Sequence, residues 1–270
     1  MKKILKKFRL PIKIIKTQIR EHFYYGFRLV ASMMTTIARC GILLILYWYV
    51  YRLNNGVING TTFLFAAWSI FFYFAFLTLQ LRTISKLIMQ DVQSGNVEIL
   101  FSKPISYLSY RMWWQVGSGL YYFIVTTILG IIALAFFIGF PATMNIGLFI
   151  PTLILTFICG CILSLFIYSI VGLFSFWVED INPIYWIVDK IIMILGGSFL
   201  PIALFPALMY KISLFSPFGA ANMVTHTVYE SWQTNWYQLV GVQLFWIIVL
   251  GLITYFMFKK AKEKVSVNGG

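Results

Sequence analysis

The sequence predicts an all-α, polytopic membrane protein, and three observations lead to that prediction. Of its 270 residues, 60% are apolar and only 11% are charged, whereas a soluble domain is about a quarter charged. Apolar runs of roughly 20 residues, the length that a helix needs to cross a bilayer, recur between short polar intervals. Lys and Arg gather before the first run, after the second and beyond the last, so the positive-inside rule places both termini in the cytoplasm. We expect a multi-pass protein of the cell membrane.

The N-terminal segment, residues 1–28, is predicted to be an amphipathic helix at the membrane surface rather than a span. Apolar residues recur at helical spacing from Ile4 to Ile19, and basic residues surround them. Such a helix lies among lipid headgroups, and anionic lipid contributes about 1 kcal/mol per basic residue. Pro11 is expected to kink or restart it. Residues 29–270 then form a single membrane domain.

Six spans are predicted in that domain. They cover residues 33–53, 63–81, 115–138 and 148–177, a short fifth span after a cytoplasmic turn at 179–183, and residues 238–258. Arg39 is the only charge well inside a span, where we expect it to extend its side chain toward the headgroups, although a functional role is the alternative. Glycines recur in the third and fourth spans, for example Gly117, Gly130 and Gly160. Small residues let membrane helices approach closely.

Residues 196–222 contain several helix breakers, including Gly196, Gly197, Pro201 and Pro206. Irregular backbone is tolerated at membrane depth only when it is buried in protein or lines a cavity. We therefore predict short re-entrant or outer-leaflet helices, the alternative being a kinked ordinary span with a surface loop. Residues 225–235, which include His226, are predicted to be an outer loop.

The most informative polar interval is residues 82–111. Ile84, Leu87, Ile88 and Val92 make one apolar stripe on a helix, and the Ser94-Gly95-Asn96 run is expected to end that helix in the left-handed conformation. A second short helix should end before Lys103-Pro104, because the residue before a proline is pushed out of the helical region. The interval is thus predicted to be a compact pair of helices.

Residues 92–111, VQSGNVEILFSKPISYLSYR, resemble the loop after the second span in six-helix permease subunits of ABC-type exporters. Those proteins share a Gly, an acidic residue, a Leu and a basic-Pro-Ile/Leu-Ser run. The resemblance implies that residues 82–111 are a coupling element that docks on a separate ATPase subunit, and that the Pro-rich segment before the last span is an outer gate. It also implies that two permeases, identical or related, enclose a path for export.

The residues of the coupling element that we expect to contact the ATPase are polar and flank its turn; solvated helix ends are the alternative interpretation. They are Gln90, Asp91, Ser94, Gly95, Asn96, Glu98 and Lys103. The expected residues of the outer gate are Gly196, Gly197, Pro201 and Pro206.

The sequence disfavours several other functions. It has no G-x-x-x-x-G-K-[ST] run, so ATP hydrolysis belongs to a partner, and it offers no catalytic triad, metal-ligand set or cofactor motif. Its positive charge lies where membrane topology requires it, which argues against nucleic acid. Two alternatives stay open. An ATPase-independent channel or scaffold needs a continuous polar face, and an enzyme acting on lipid needs a reactive cluster at one interface.

Overall fold

A computed structural model describes the chain over residues 2–24, 26–102, 105–141 and 145–268. It is 83% helical, which confirms the all-α prediction. A two-stranded hairpin, β1 (Val57–Ile58) and β2 (Thr61–Thr62), occupies the predicted loop between the first two spans. The helices of the described residues are α1 (Lys2–Phe23), α2 (Gly26–Leu53), α3 (Phe63–Leu77), α4 (Thr83–Gln93), α5 (Asn96–Phe101), α6 (Tyr107–Phe137), α7 (Ile146–Leu173), α8 (Asn182–Leu195), α9 (Ala207–Phe215), α10 (Pro217–Ala220) and α11 (Glu230–Asn268).

Five helical stretches in the described part of the chain are long and apolar enough to cross a membrane. They are Leu29–Leu53, Phe63–Gln93, Tyr107–Phe137, Gly147–Phe176 and Glu230–Lys264. They correspond to the predicted first, second, third, fourth and sixth spans, and several extend beyond the predicted limits. These apolar helices support a multi-pass membrane protein.

The predicted fifth span is α8, which has 14 residues. At 1.5 Å per residue its length is about 21 Å, which is shorter than the roughly 30 Å hydrocarbon core of a bilayer. The chain leaves the helix at Gly196-Gly197, where Gly197 has a φ of 85°, and α9 and α10 follow. The early end of this segment agrees with the prediction, whereas the count of six spans stays a prediction.

α3 lies at the centre of the bundle, and residues 66–76 are buried throughout. Glycines of the neighbouring helices let the helices pack closely, as predicted. A Cβ at Gly130 of α6 would overlap the ring of Phe71, and one at Gly160 of α7 would lie 2.6 Å from the carbonyl oxygen of Ala221. These glycines therefore set the helix spacing around the core.

α1 packs along α6. A Cβ at Gly117 of α6 would lie 2.9 Å from the Cα of Ile15, and the rings of Phe23 and Tyr121 meet edge to face at 5.8 Å. The helix passes through Pro11 without a restart, so of the two expected effects of this proline only a kink stays a prediction. Ile12, one residue of the predicted apolar stripe, is 60% exposed. Attachment of the exposed face to lipid stays a prediction.

The irregular segment before α11, residues 219–229, is enclosed by protein, and all of these residues are buried. Side chains of the long helices satisfy its backbone carbonyls, as buried backbone requires. Ser69 of α3 donates to the carbonyl of Thr225 at 2.9 Å, and Gln243 of α11 donates to the carbonyls of Ala220 at 2.9 Å and Thr156 at 3.1 Å. Burial is the condition under which such backbone is tolerated in a membrane protein.

One expectation from the sequence is wrong. Residues 225–235 are not a loop, because His226 is 3% exposed beneath Tyr210 of α9 and α11 begins at Glu230. The structure also buries the side chains of Asp91 and Asp189. Each of these carboxylates has an arginine partner, which is what allows a charge to be buried.

Candidate coupling site

The coupling element begins at the break between α3 and α4. Gln80 takes a φ of 51° at this break, and its carbonyl accepts a hydrogen bond from Nε2 of Gln115 at 3.0 Å. Oε1 of the same glutamine accepts from the Thr83 hydroxyl at 2.7 Å. Since Gln115 belongs to α6 and is 2% exposed, a buried side chain of the third predicted span fixes where α4 starts.

α4 buries its predicted apolar stripe against the bundle. Ile84 and Ile88 have no exposed surface, and both belong to the main core. Gly172 of α7 permits this contact, since a Cβ there would lie 3.0 Å from the Cα of Ser85 and 2.8 Å from Cδ1 of Ile88. The helix therefore rests on the predicted cytoplasmic end of α7 with almost no gap.

The turn between α4 and α5 has the geometry that the sequence predicts. Gly95 is left-handed, with a φ of 71°, a conformation that costs other residues free energy. The turn reverses the chain so that Val97 is buried and Phe101 meets the rings of Tyr107 and Phe258 edge to face, at 5.5 and 6.0 Å. Phe258 belongs to α11, so the element also contacts the last span.

Asp91 points into the bundle and not outward. Its Oδ2 accepts hydrogen bonds from the Tyr107 hydroxyl at 2.6 Å and from Nε of Arg111 at 2.7 Å, and its Oδ1 accepts from Nη2 of Arg111. The residue is 5% exposed. A fork of this kind is the strongest arrangement that an arginine and a carboxylate adopt, and here it joins α4 to the start of α6.

A second buried carboxylate joins the element to α8. Oδ2 of Asp189 lies 3.4 Å from Nη1 of Arg82, and Oδ1 accepts from the Tyr168 hydroxyl at 2.9 Å. One turn further along α4, Nζ of Lys86 lies 4.6 Å from the centre of the Tyr185 ring. Arg82 and Asp189 are 107 positions apart, so no local pattern predicts this pair, and only the opposite charges of the two residues could have suggested it.

The exposed residues around the turn, most of them polar, form one surface, which we call the exposed tip. It consists of Gln90, Gln93, Ser94, Gly95, Asn96, Glu98 and Ile99. Five of the seven predicted contact residues lie in it. Asp91 is a correction, since its carboxylate is used inside the protein, and Lys103 lies outside the described residues.

Ile99 is the feature of the exposed tip that the sequence analysis missed. It is 65% exposed, although it is flanked by polar residues such as Glu98. A search for polar contact residues could not select it, because it carries no polar atom in its side chain. Protein interfaces combine an apolar centre with a polar rim, and Ile99 is the one large apolar side chain of the exposed tip.

The predicted gate residues lie at the other end of the bundle. Gly196, Gly197 and Pro201 are buried, whereas Pro206 is exposed. A Cβ at Gly196 would lie 2.6 Å from Nδ2 of Asn222, so the end of α8 is held tightly against the irregular segment. α8 thus connects the coupling element, through Asp189, with the predicted gate region.

A comparison with protein families is decisive at this point. The family model described as "ABC-2 family transporter protein" matches residues 23–269. The chain belongs to the ABC-2 family of transporters. A search among curated proteins gave no match.

Membership of the ABC-2 family confirms the resemblance drawn from residues 92–111 and makes the chain the membrane component of an ABC transporter. The family is a transport permease family and not an ATPase family. In general, ABC-2 permeases associate with an ABC ATPase subunit.

Proposed function

We propose that this ABC-2 permease exports a substrate by coupling, through the exposed tip of α4–α5, to separate ATPase subunits at the cytoplasmic face. Two permeases, identical or related, enclose the path in this proposal. The observation that carries it is a pair of helices whose residues around the turn are exposed while their inner side chains contact four other helices. A lever that transmits force needs both properties.

The exposed tip has the composition of a contact surface. Ile99 supplies an apolar anchor, and Gln90, Ser94, Asn96 and Glu98 supply hydrogen-bonding groups around it. Burial of one such anchor in a pocket of the partner, within a polar rim, is the arrangement that dominates binding free energy in many interfaces. Glu98 gives the tip one formal negative charge, so the complementary partner surface carries a basic residue.

Attachment to the bundle makes the coupling element a rigid lever. Asp91 binds α6, Arg82 binds α8, Phe101 packs on α11, and Ile88 packs on α7. Movement of the exposed tip by an ATPase therefore displaces all four helices together. A two-state rearrangement biased by nucleotide needs such discrete, close-packed contacts, and α8 is the shortest connection to the predicted outer gate.

The test is co-purification of the tagged permease with its co-expressed ABC ATPase. We expect the double variant Glu98→Lys/Ile99→Asp to lose the ATPase, with binding weakened at least about tenfold, because it removes the anchor and reverses the charge. Glu230→Lys is the matched control, since Glu230 is an exposed acidic residue at the opposite end of the bundle.

Thermal unfolding of each variant separates loss of binding from loss of structure. Both side chains that change in the double variant are exposed, so its stability should stay close to that of the wild type. Retention of the ATPase and of its ATP turnover in a folded Glu98→Lys/Ile99→Asp permease would show that docking occurs elsewhere.

A further inference from the structure

A large cavity opens at the end of the bundle opposite the coupling element. Its volume is about 570 Å³, within the range of roughly 300–1,000 Å³ of small-molecule sites. The walls come from the β1–β2 hairpin, from the irregular segment and α9, and from the start of α11. Its apolar surface is provided by Ile202, Phe205, Leu214 and Leu239.

Two residues of the cavity wall each carry a buried nitrogen atom without a hydrogen-bond partner among the described residues. The atoms are Nε2 of His226 and Nε1 of Trp232, and both residues are 3% exposed. Neither nitrogen is open to the cavity in this conformation, so a ligand reaches it only after the side chain turns toward the cavity. A buried polar group without a partner costs about 1–3 kcal/mol, and that cost favours such a movement when a ligand group satisfies the nitrogen.

The chemistry of these groups selects the ligand. An indole N–H is a donor only, so the partner that Trp232 lacks is an acceptor. Lys211 is the one formally charged residue among the described residues of the lining, and none of the ion pairs in the described part of the chain includes it. The indole donor and the cation favour an anionic, acceptor-rich head, and the apolar walls favour a hydrocarbon body.

We propose that this cavity binds an amphipathic anion, with its headgroup at Lys211, His226 and Trp232 and its chain along Ile202, Phe205 and Leu239. The ligand is a single-chain or phospholipid molecule with a phosphate or carboxylate head. The site lies within one copy of the chain and is at the end remote from the exposed tip. The test of this site is therefore independent of ATPase docking.

The experiment measures binding of radiolabelled dodecyl phosphate to the full-length permease in phosphatidylcholine nanodiscs, with empty nanodiscs subtracted. Dodecanol, which has the chain without the anion, and inorganic phosphate, which has the anion without the chain, should each compete at least about tenfold more weakly. Equal competition by either probe would overturn the amphipathic anion as the ligand class.

Variants locate the binding in the cavity. Lys211→Gln should weaken binding roughly tenfold, the loss expected for one charge-assisted hydrogen bond. Arg52→Gln is its control, because Arg52 is a cation at the same end of the bundle that does not line the cavity. Unchanged binding in a folded Lys211→Gln protein would refute the assignment.

A steric pair tests the same site without removing any polar group. Ala207 lines the cavity and is exposed, so Ala207→Trp should occlude it and abolish binding. Ala133→Trp, on the exposed face of α6, should leave binding intact. Binding that survives Ala207→Trp would also refute the proposal.

The lipid composition distinguishes the two sources of the ligand. If phosphatidylglycerol in the nanodisc displaces dodecyl phosphate, the occupant is a membrane lipid. If displacement requires a single-chain amphiphile, the occupant reaches the site from solution. Either result supports the amphipathic-anion site.

Discussion

Replacement of Asp91 by alanine should destabilise the permease without any ATPase present. The substitution removes the acceptor of three hydrogen bonds, two from Arg111 and one from Tyr107. It leaves a guanidinium whose side chain is 15% exposed without a counter-charge. Breaking a buried ion pair from one side costs about 3–5 kcal/mol. Because Arg111 keeps some contact with solvent, we expect the lower end, about 3 kcal/mol.

The assay is reversible unfolding of the purified permease in mixed micelles titrated with dodecyl sulfate. Tyr107→Phe removes one bond only and should cost about 1 kcal/mol. The double variant Asp91→Leu/Arg111→Met should recover most of the loss, because a well-packed apolar pair replaces a buried ion pair at little cost. Glu98→Gln, an exposed acid in the same element, should lie within about 0.5 kcal/mol of the wild type.

The result that would refute this reasoning is an Asp91→Ala protein with wild-type stability that no longer retains the ATPase. Such a protein would place the carboxylate of Asp91 on the partner surface. The ion pair with Arg111 would then not form in the folded permease.

Three further predictions concern packing, the second ion pair and pH. Gly119→Ala should destabilise by about 1–3 kcal/mol or more, because its Cβ would overlap the Leu79 carbonyl oxygen. Asp189→Asn should cost about 1–3 kcal/mol and reduce transport-coupled ATP turnover, since it uncouples α8 from α4. Burial lowers the pKa of His226 from 6.5 to about 4. As the pH is lowered, the unfolded chain binds a proton at this histidine near pH 6.5, whereas the folded chain binds it only near pH 4. The free energy of unfolding should therefore decrease by up to about 3 kcal/mol as the pH falls from 6.5 to 4.

Each of these has a matched control. Gly241→Ala, where a Cβ meets nothing within 4 Å, should be neutral or stabilising by up to about 1 kcal/mol, and a loss equal to that of Gly119→Ala would discount the overlap. Asp180→Asn changes an exposed acid near α8 and should leave turnover intact. Subtracting the pH profile of His226→Phe isolates the histidine, and identical profiles would show that it is not buried.

The sequence predicted the structure of the helical pair α4–α5 well because local signals determine it. The stripe that contains Ile84 and Ile88 fixes the buried face of α4, and Gly95 between two polar residues fixes the turn. The short hairpin was missed even though Asn59-Gly60 is a favoured two-residue turn. In the structure both residues have positive φ, 49° and 73°.

Long-range pairing could not be derived in the same way. Asp91 is polar and lies next to the turn, so its sequence position suggests exposure, and only the folded chain brings Arg111 within 2.7 Å. His226 is similar, since a polar run before the last span suggests a loop, whereas the contact with Tyr210 covers it. A sequence pattern does not show which distant residues cover a side chain in the folded protein.

The two hydrogen bonds from Gln243 have a consequence for where cargo travels. The side-chain amide of Gln243, on α11, binds a carbonyl of α7 and a carbonyl of the irregular segment. A substrate that passed through the middle of one copy would have to break both hydrogen bonds in a region where no water replaces them. These three parts therefore move as one block. In the export proposal, the substrate path therefore runs along the bundle exterior, where the faces of α2 and α6 are left largely uncovered by the rest of the described residues.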